Sequence, residues 1–299
     1  MTMEKLGSDL VPDGTRNIAP AHGSGLMNFF ALRWLKGPRK RRKRQGHSFD
    51  IWRTSFSFVV FFVVWEVTAR YIIANQIFLA PPSEVAVRAV EMWHSGELQK
   101  HLWISFVEFA CGFAFASVIG IGAGVALAQS NAIRGFFDPL VSLAYSMPVI
   151  ALGPLFILWL GIGVASKIAV IFLVAVFPIL INTVAGLMAT DRQLIEVANS
   201  LGASPGQLYR KVRLPSAVPF IIAGLRLSVA RALVGVVVAE LFGARAGLGY
   251  LVMTSTTEFD TASLFLAVII LAVAGVICVE FFKYLESWLA PWRFQNTEE

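Results

Sequence analysis

Charge is scarce in this chain. Asp, Glu, Lys and Arg make up 15% of its 299 residues, while 57% are hydrophobic and the mean hydropathy is +0.69. A soluble domain carries about 25% charged and about 45–50% apolar residues, so a water-soluble globular fold and whole-chain disorder are both excluded. Cysteine is almost absent. Cys111 and Cys278 both sit in apolar runs and read as small buried hydrophobes rather than a disulfide framework. Histidine is sparse too, and no His/Cys/Glu group has metal-ligand spacing; His94 and His101 read as surface residues. The chain contains no G-x-x-x-x-G-K-[ST] phosphate loop, no G-x-S-x-G and no H-E-x-x-H. Gly120-x-Gly122 follows no strand, so it is not a dinucleotide fingerprint.

What is present is apolar length, enough for five to seven spans of about 20 residues. Six runs can be read: about Ser55–Ala74, Leu102–Gln129, Pro139–Leu160, Ile168–Met188, Val218–Phe242 and Ala262–Leu285. The fold class is therefore all-α, a polytopic membrane protein with six transmembrane helices. Residues 1–50 form a polar, basic tail in which Phe29–Leu35 could make an interfacial helix. Residues 51–101 hold the first helix, a retained anchor, and a polar segment helical from Ser83. The membrane domain fills 102–290, and a short tail occupies 291–299.

Basic residues orient the chain. The run Arg39–Arg44 abuts the first span, where it meets anionic headgroups, and it is not read as a nucleic-acid site. With both termini cytoplasmic, only Arg70, Arg88, Lys100, Lys167 and Arg245 lie outside, and Arg226 and Arg231 lie within a span. The other Lys and Arg residues are inside, as the positive-inside rule requires.

Within the spans, Gly120-x-x-x-Gly124 offers a close-packing face, and Pro148, Pro154 and Pro178 are expected to kink their helices. Arg226 and Arg231 must face protein or water. Glu240 lies about 21 Å further along the helix from Arg226, too far to pair, whereas Glu108 with Arg231 is a possible cross-helix pair. These charges read either as a structural ion network or as a translocation path, with Arg226, Arg231 and Glu240 the candidates and Asn182, Tyr145 and Trp159 weaker ones that suit bundle packing.

The most informative stretch is the loop from Thr190 to Pro215. Thr190 with Gln193 fits a capping box opening one short helix, and Leu194, Ile195, Val197, Ala198 and Leu201 give it a buried stripe. Gly202 fits its stop. Ser204, Pro205 and Gln207 open a second helix that Leu214-Pro215 is expected to end.

Glu196-Val-Ala198, Gly202 and Val212-Arg-Leu214-Pro215 keep the spacing E-A-A-x3-G-x9-I-x-L-P. This resembles the EAA loop of ABC importer permeases. Phe78-Leu-Ala-Pro-Pro-Ser-Glu-Val85, Gly112-Phe, Pro148-Val-Ile-Ala-Leu-Gly-Pro154, Leu158-Trp-Leu-Gly-Ile-Gly163, Ala223-Gly-Leu-Arg226 and Gly247-Leu-Gly-Tyr250 look like the nitrate/sulfonate/taurine/bicarbonate group. One departure is Glu108, where that group leads us to expect a basic residue.

The resemblance implies a type I ABC importer transmembrane domain in the inner membrane. Glu196, Ala198, Gly202, Val212, Leu214 and Pro215 would form the coupling contact with an ATP-binding subunit. It implies a periplasmic binding protein, a second permease copy and lipid as further partners. No cofactor is expected in this chain, ATP and Mg being held by the partner, and no catalysis. The expected solute is small and anionic, nitrate-, sulfonate- or taurine-like. The alternatives are another organic solute, such as an aromatic acid or a thiamine-precursor pyrimidine, or a secondary transporter.

Overall fold

The computed structural model describes residues 47–73, 75 and 77–291. The Phe29–Leu35 segment, the Arg39–Arg44 run and the C-terminal tail beyond Pro291 lie outside the described residues. Residues 1–58 form one unit and 59–299 another, and the helical bundle belongs to the second.

The described chain is helical. In order it forms α1 His47–Val67, continued by a wide π turn Thr68–Ile73; α2 Pro82–His94; α3 Glu97–Gln129; α4 Asn131–Ser146; and a 3-10 turn Val149–Leu152. Next come α5 Gly153–Leu160, α6 Val164–Met188, α7 Arg192–Ser200 and α8 Pro205–Leu208. A π turn Tyr209–Arg213 then leads to α9 Leu214–Leu241, α10 Leu248–Glu258 and α11 Thr261–Leu289.

Among the described residues five stretches are long and apolar enough to cross a membrane: Phe56–Ile73, Glu97–Gln129, Val164–Met188, Pro205–Leu241 and Thr261–Leu289. The remaining apolar run, Pro139–Leu160, is not one helix. It breaks after Ser146, because Met147 is extended and Pro148 cannot continue the ladder. Pro154 begins α5 rather than kinking it, and Pro139 and Pro178 are carried inside α4 and α6.

The packing register shows what the broken run does. Gly112 lies against Ile171, Gly120 against Ile179 and Gly124 against Thr183, so α3 and α6 run parallel. Two consecutive spanning helices can be parallel only if the chain between them returns across the membrane. α4 with 16 residues and α5 with 8 provide that return, about 24 Å and about 12 Å of helix against a hydrocarbon core of about 30 Å. The sixth crossing is thus made in two pieces. α9 runs back along α6, with Gly186 against Phe220 and Gly224 against Asn182. The core lies where α3, α6 and α9 meet, around Ala116, Ile171, Ile179, Val229 and Val236.

The expected G-x-x-x-G face holds, and Gly112 extends it. A Cβ on Gly112 would stand 2.7 Å from Ile171 side-chain atoms, and one on Gly124 would stand 2.7 Å from Thr183 Cβ; Gly122 faces open space. At the end of the bundle that carries α2 and α10, a second apolar cluster joins Val85, Met92, Leu98, Leu251 and Leu266. Glu66 is half-buried and held by Arg70 and by Ser83.

Asp260 caps α11 by accepting from Ser263 N at 3.0 Å, and it meets Arg88 of α2 at 3.1 Å. Partial burial pushes its carboxyl up, but the Ser263 hydrogen bonds and Arg88 outweigh this and hold it below the usual carboxylate range. The stability from a depressed carboxylate is full above its unfolded pKa of about 4 and is lost as pH falls through the folded value. Arg88→Ala should therefore lower the melting temperature at pH 7 and have less effect near pH 3. We expect Gly112→Val to cost about 1–3 kcal/mol through overpacking and Gly122→Ala to cost almost nothing. Thermal unfolding of the detergent-solubilised chain checks both substitutions.

Candidate functional site

The loop between α6 and α9 is built from local hydrogen bonds. The N-cap of α7 is Asp191, whose carboxylate accepts from Gln193 N at 2.9 Å. Thr190, expected in that role, instead donates its hydroxyl to Leu187 O, because the carboxylate one residue on already meets the open N–H. Gly202 has φ +75°. Its N–H donates to Asn199 O at 2.9 Å, and Ala203 N donates to Ala198 O at 3.0 Å, a Schellman stop that favours glycine. Ser204 and Gln207 make the full reciprocal capping box. Leu214-Pro215 does not end the second helix. The backbone widens into the π turn Tyr209–Arg213, and Pro215 falls in the first turn of α9, so the chain is helical from Pro205 to Leu241.

The apolar stripe of α7 is split. Ile195 and Ala198 are half-buried, while Leu194, Val197 and Leu201 are 52%, 59% and 82% exposed. Positions 194, 197 and 201 share one helix face, and Glu196 and Gly202 are also open. A helix of 9 residues with its leucines in water is marginal alone. This face asks for a protein partner.

The intramembrane charges separate into three arrangements. Arg226 pairs with Glu286 of α11, joining two helices. Glu108 does not meet Arg231; it is fully buried and accepts from Lys167 Nζ at 2.8 Å, the lysine having moved from the expected outer loop into the first turn of α6. Arg231 donates instead to Tyr145 OH at 2.6 Å, its guanidinium 4.6 Å from the ring centroid. Two of the path candidates thus come together on the α4–α9 face, beside Met147, Pro148 and Phe177. Asn182 bonds back within its own helix, its amide donating to Pro178 O four residues earlier, and Trp159 stands on the exposed face of α5.

Glu240, the remaining path candidate, is turned elsewhere. It is fully buried, and its Oε2 accepts from Gly249 N at 2.6 Å and Tyr250 N at 3.3 Å, while Oε1 accepts from the Ser105 hydroxyl at 2.6 Å. Leu248 N donates to Ser105 Oγ, and Gly247 N donates to His101 Nδ1. The open N–H groups at the start of α10 are thus met by side chains from α3 and α9, with a carboxylate at the positive end of the helix. Gly247 and Gly249 are required by contact. A Cβ at 247, where φ is +131°, would stand 2.3 Å from the Glu240 carboxyl, and one at 249 would stand 2.8 Å from Val237 Cα.

His101 is accordingly buried, not a surface residue as expected. A signal for this lay in the sequence. His101, Ser105, Glu108, Gly112, Ala116, Gly120 and Gly124 recur every three or four residues, a small and polar stripe in an apolar helix, and all are buried.

Glu240→Gln should destabilise the folded chain by about 1.5–3 kcal/mol, since an NH2 that cannot accept replaces one of two oxygens that both accept from buried donors. Gly247→Ala should have a comparable effect through strain and contact. Melting of the purified variants measures both, and wild-type stability for either would contradict this account of the α9–α10 turn.

Residues 116–292 match the family model described as the binding-protein-dependent transport system inner membrane component. The formylaminopyrimidine transport permease protein ThiX of Halalkalibacterium halodurans is 34% identical over 247 residues, 82% of this chain and 98% of that one. A Bacillus subtilis chain provisionally named the aliphatic sulfonates transport permease protein SsuC is 37% identical, over 78% of this chain and 85% of its own length. The taurine transport system permease protein TauC of Escherichia coli is 30% identical, over 78% and 87%. In fold, the chain is similar to the inward-facing MetNI methionine ABC transporter, with TM-score 0.57 and 21% identity over 66% of this chain and 97% of that one. The family match takes in the second half of α3, all of α6, the 190–215 loop and the α9–α10 turn, and this chain belongs to the inner membrane components of binding-protein-dependent transport systems.

Proposed function

We propose that this chain forms the translocation path of an ATP-driven importer for a small solute of the sulfonate or taurine kind. A periplasmic binding protein delivers the solute, and both chain termini lie in the cytoplasm. The observation that carries the reading is the loop from Glu196 to Pro215, which keeps the EAA spacing and leaves Leu194, Val197 and Leu201 in water on one face of α7. Glu196, Ala198, Gly202, Val212, Leu214 and Pro215 supply the coupling contact with the ATP-binding subunit. ATP and Mg are held there, and closure of the two ATPases pulls the α7–α8 unit and switches the bundle between two access states. The exposed apolar faces of α4 and α5, with Phe136, Leu143 and Leu158, meet a second copy of the chain and membrane lipid.

Arg231 is the path residue best supported. Arg226 is paired with an acid, whereas Arg231 has a neutral partner, Tyr145, and no acid among the described residues. An arginine at membrane depth without a counter-ion is tolerated only beside water or a passing anion. Glu240 and Asn182 are held by structural hydrogen bonds, which favours a supporting role for both. A second reading, a pyrimidine-type solute, is favoured by Glu108, since a buried carboxylate suits an N–H-bearing solute.

Gly202→Asp puts a side chain at a positive φ and a charge in the docking face. The variant should insert and dimerise but lose the ATPase subunit, or lose stimulation of ATP hydrolysis by loaded binding protein. Full ATPase stoichiometry with wild-type uptake would overturn the coupling assignment. Arg231→Ala should lower uptake at least ~tenfold, with assembly and basal ATP hydrolysis retained. Arg226→Ala, which removes the ion pair between α9 and α11, should instead reduce folded protein, at a cost of about 3–5 kcal/mol. Uptake assays set against membrane yield separate the two arginines.

A further inference from the structure

The bundle is open along its flank as well as at its ends. A cavity of about 440 Å³ lies between α3, α9 and α11. Trp103, Phe106 and Phe109 of α3 form one wall, Ala274 and Cys278 of α11 the other, and buried Val236 of α9 the floor. One turn beyond Phe109 and Cys278, the rings of Phe113 and Phe282 meet with centroids 5.8 Å apart, which joins α3 to α11 and closes the groove at its inner end. Trp93 and Gln99 stand at the opposite end, away from the α7–α8 loop. No charged side chain lines the groove. Of its polar side chains, Ser105 donates to Glu240 Oε1 at 2.6 Å, and Gln99 donates to Trp93 O at 2.7 Å.

Water does not suit such a space, because an apolar cavity offers it too few partners, and a polar solute would give up its hydration without replacement. Left empty, the groove forfeits the dispersion contacts of its walls. Its rim belongs to the lipid-facing side of a span, with Trp103 and Phe106 66% and 60% exposed. Its length matches one leaflet: Gln99 to Phe109 covers about 15 Å of α3, half of a hydrocarbon core of about 30 Å. Trp93 and Trp103 mark its outer mouth, as indoles do at a bilayer surface. We propose that this groove holds one acyl chain of a phospholipid from the leaflet opposite the α7–α8 loop, with the headgroup at the level of Trp93. The acyl chain packs α3 and α11 against α9, the helix that carries Arg231. The inference goes beyond the permease reading and needs only that the spans lie in a bilayer.

The probe is a phosphatidylcholine with a photoreactive diazirine near the end of one acyl chain, doped into phosphatidylcholine nanodiscs that hold the full chain. After illumination, peptide mapping should find adducts on Phe109 and Ala274 in excess of those on Val276 and Ile277. The latter two lie within one turn of Ala274 on α11 and are 63% and 62% exposed, so they report the ordinary lipid shell. Ala274→Phe fills the groove and should lose the Phe109 adducts while those on Val276 and Ile277 remain. Equal labelling of the four positions would overturn the proposal. So would an unlabelled groove, the result expected if a second copy of the chain covers it, or Phe109 adducts that persist in the folded Ala274→Phe variant. The wild-type map is decisive alone if that variant fails to fold.

Discussion

A membrane offers no water to satisfy a charge or an open N–H, and the packing of this bundle is set by where each such group finds a partner. Lys167 and Glu108 fix the start of α6 against α3. Arg226 and Glu286 fix α9 against α11. Glu240 holds the first turn of α10, with Ser105 and His101 completing the set. Once these are assigned, Arg231 remains with a phenol beside it, and it stands on the face next to the break in the sixth crossing. The same constraint explains that break: irregular backbone at membrane depth has to be covered by protein or by a polar path. The Met147–Pro148 turn and Arg231 line one cavity.

Close packing of α3 on α6 is the other half of the arrangement. Gly112, Gly120 and Gly124 allow the two backbones to run parallel in contact. Parallel pairing forces α4 and α5 to carry the chain back, and leaves α7 and α8 on the side where α6 ends and α9 begins. The bundle therefore presents a small, locally capped helix pair at one end and a charged cavity beside Lys100 and Arg245 at the other. That division suits a protein that takes solute on one side and a mechanical input on the other.

Much of this was legible in the sequence because it is local. Long apolar runs mark spans by length alone, and the Gly202 stop and the Ser204–Gln207 box depend on residues within a few positions of each other. What was not legible depends on tertiary partners. Glu108 finds Lys167 and Arg226 finds Glu286 across about 60 residues of chain, a choice set by helix register that no spacing rule supplies. Thr190 and Asp191 both suit an N-cap, and only the turn geometry selects the aspartate. Gly247 and Gly249 were recognisable as a motif, but their reason, a carboxylate pressed against the backbone, appears only when α9 and α10 are folded together. The stripe of Leu194, Val197 and Leu201 follows helix periodicity and so looked buried, but periodicity does not tell a face turned to this chain's own core from one left exposed by it.

Site-directed cross-linking tests the central claim, that the exposed face of α7 is the seat of the ATP-binding subunit. Leu201→Cys would be placed in a chain whose own Cys111 and Cys278 are replaced by serine, assembled with the ATPase and treated with a short bifunctional thiol reagent. The account predicts a covalent product between permease and ATPase, and loss of labelling of position 201 by a water-soluble maleimide in the complex. A Leu201→Cys complex that contains the ATPase, stays fully open to the maleimide and gives no cross-link would contradict it.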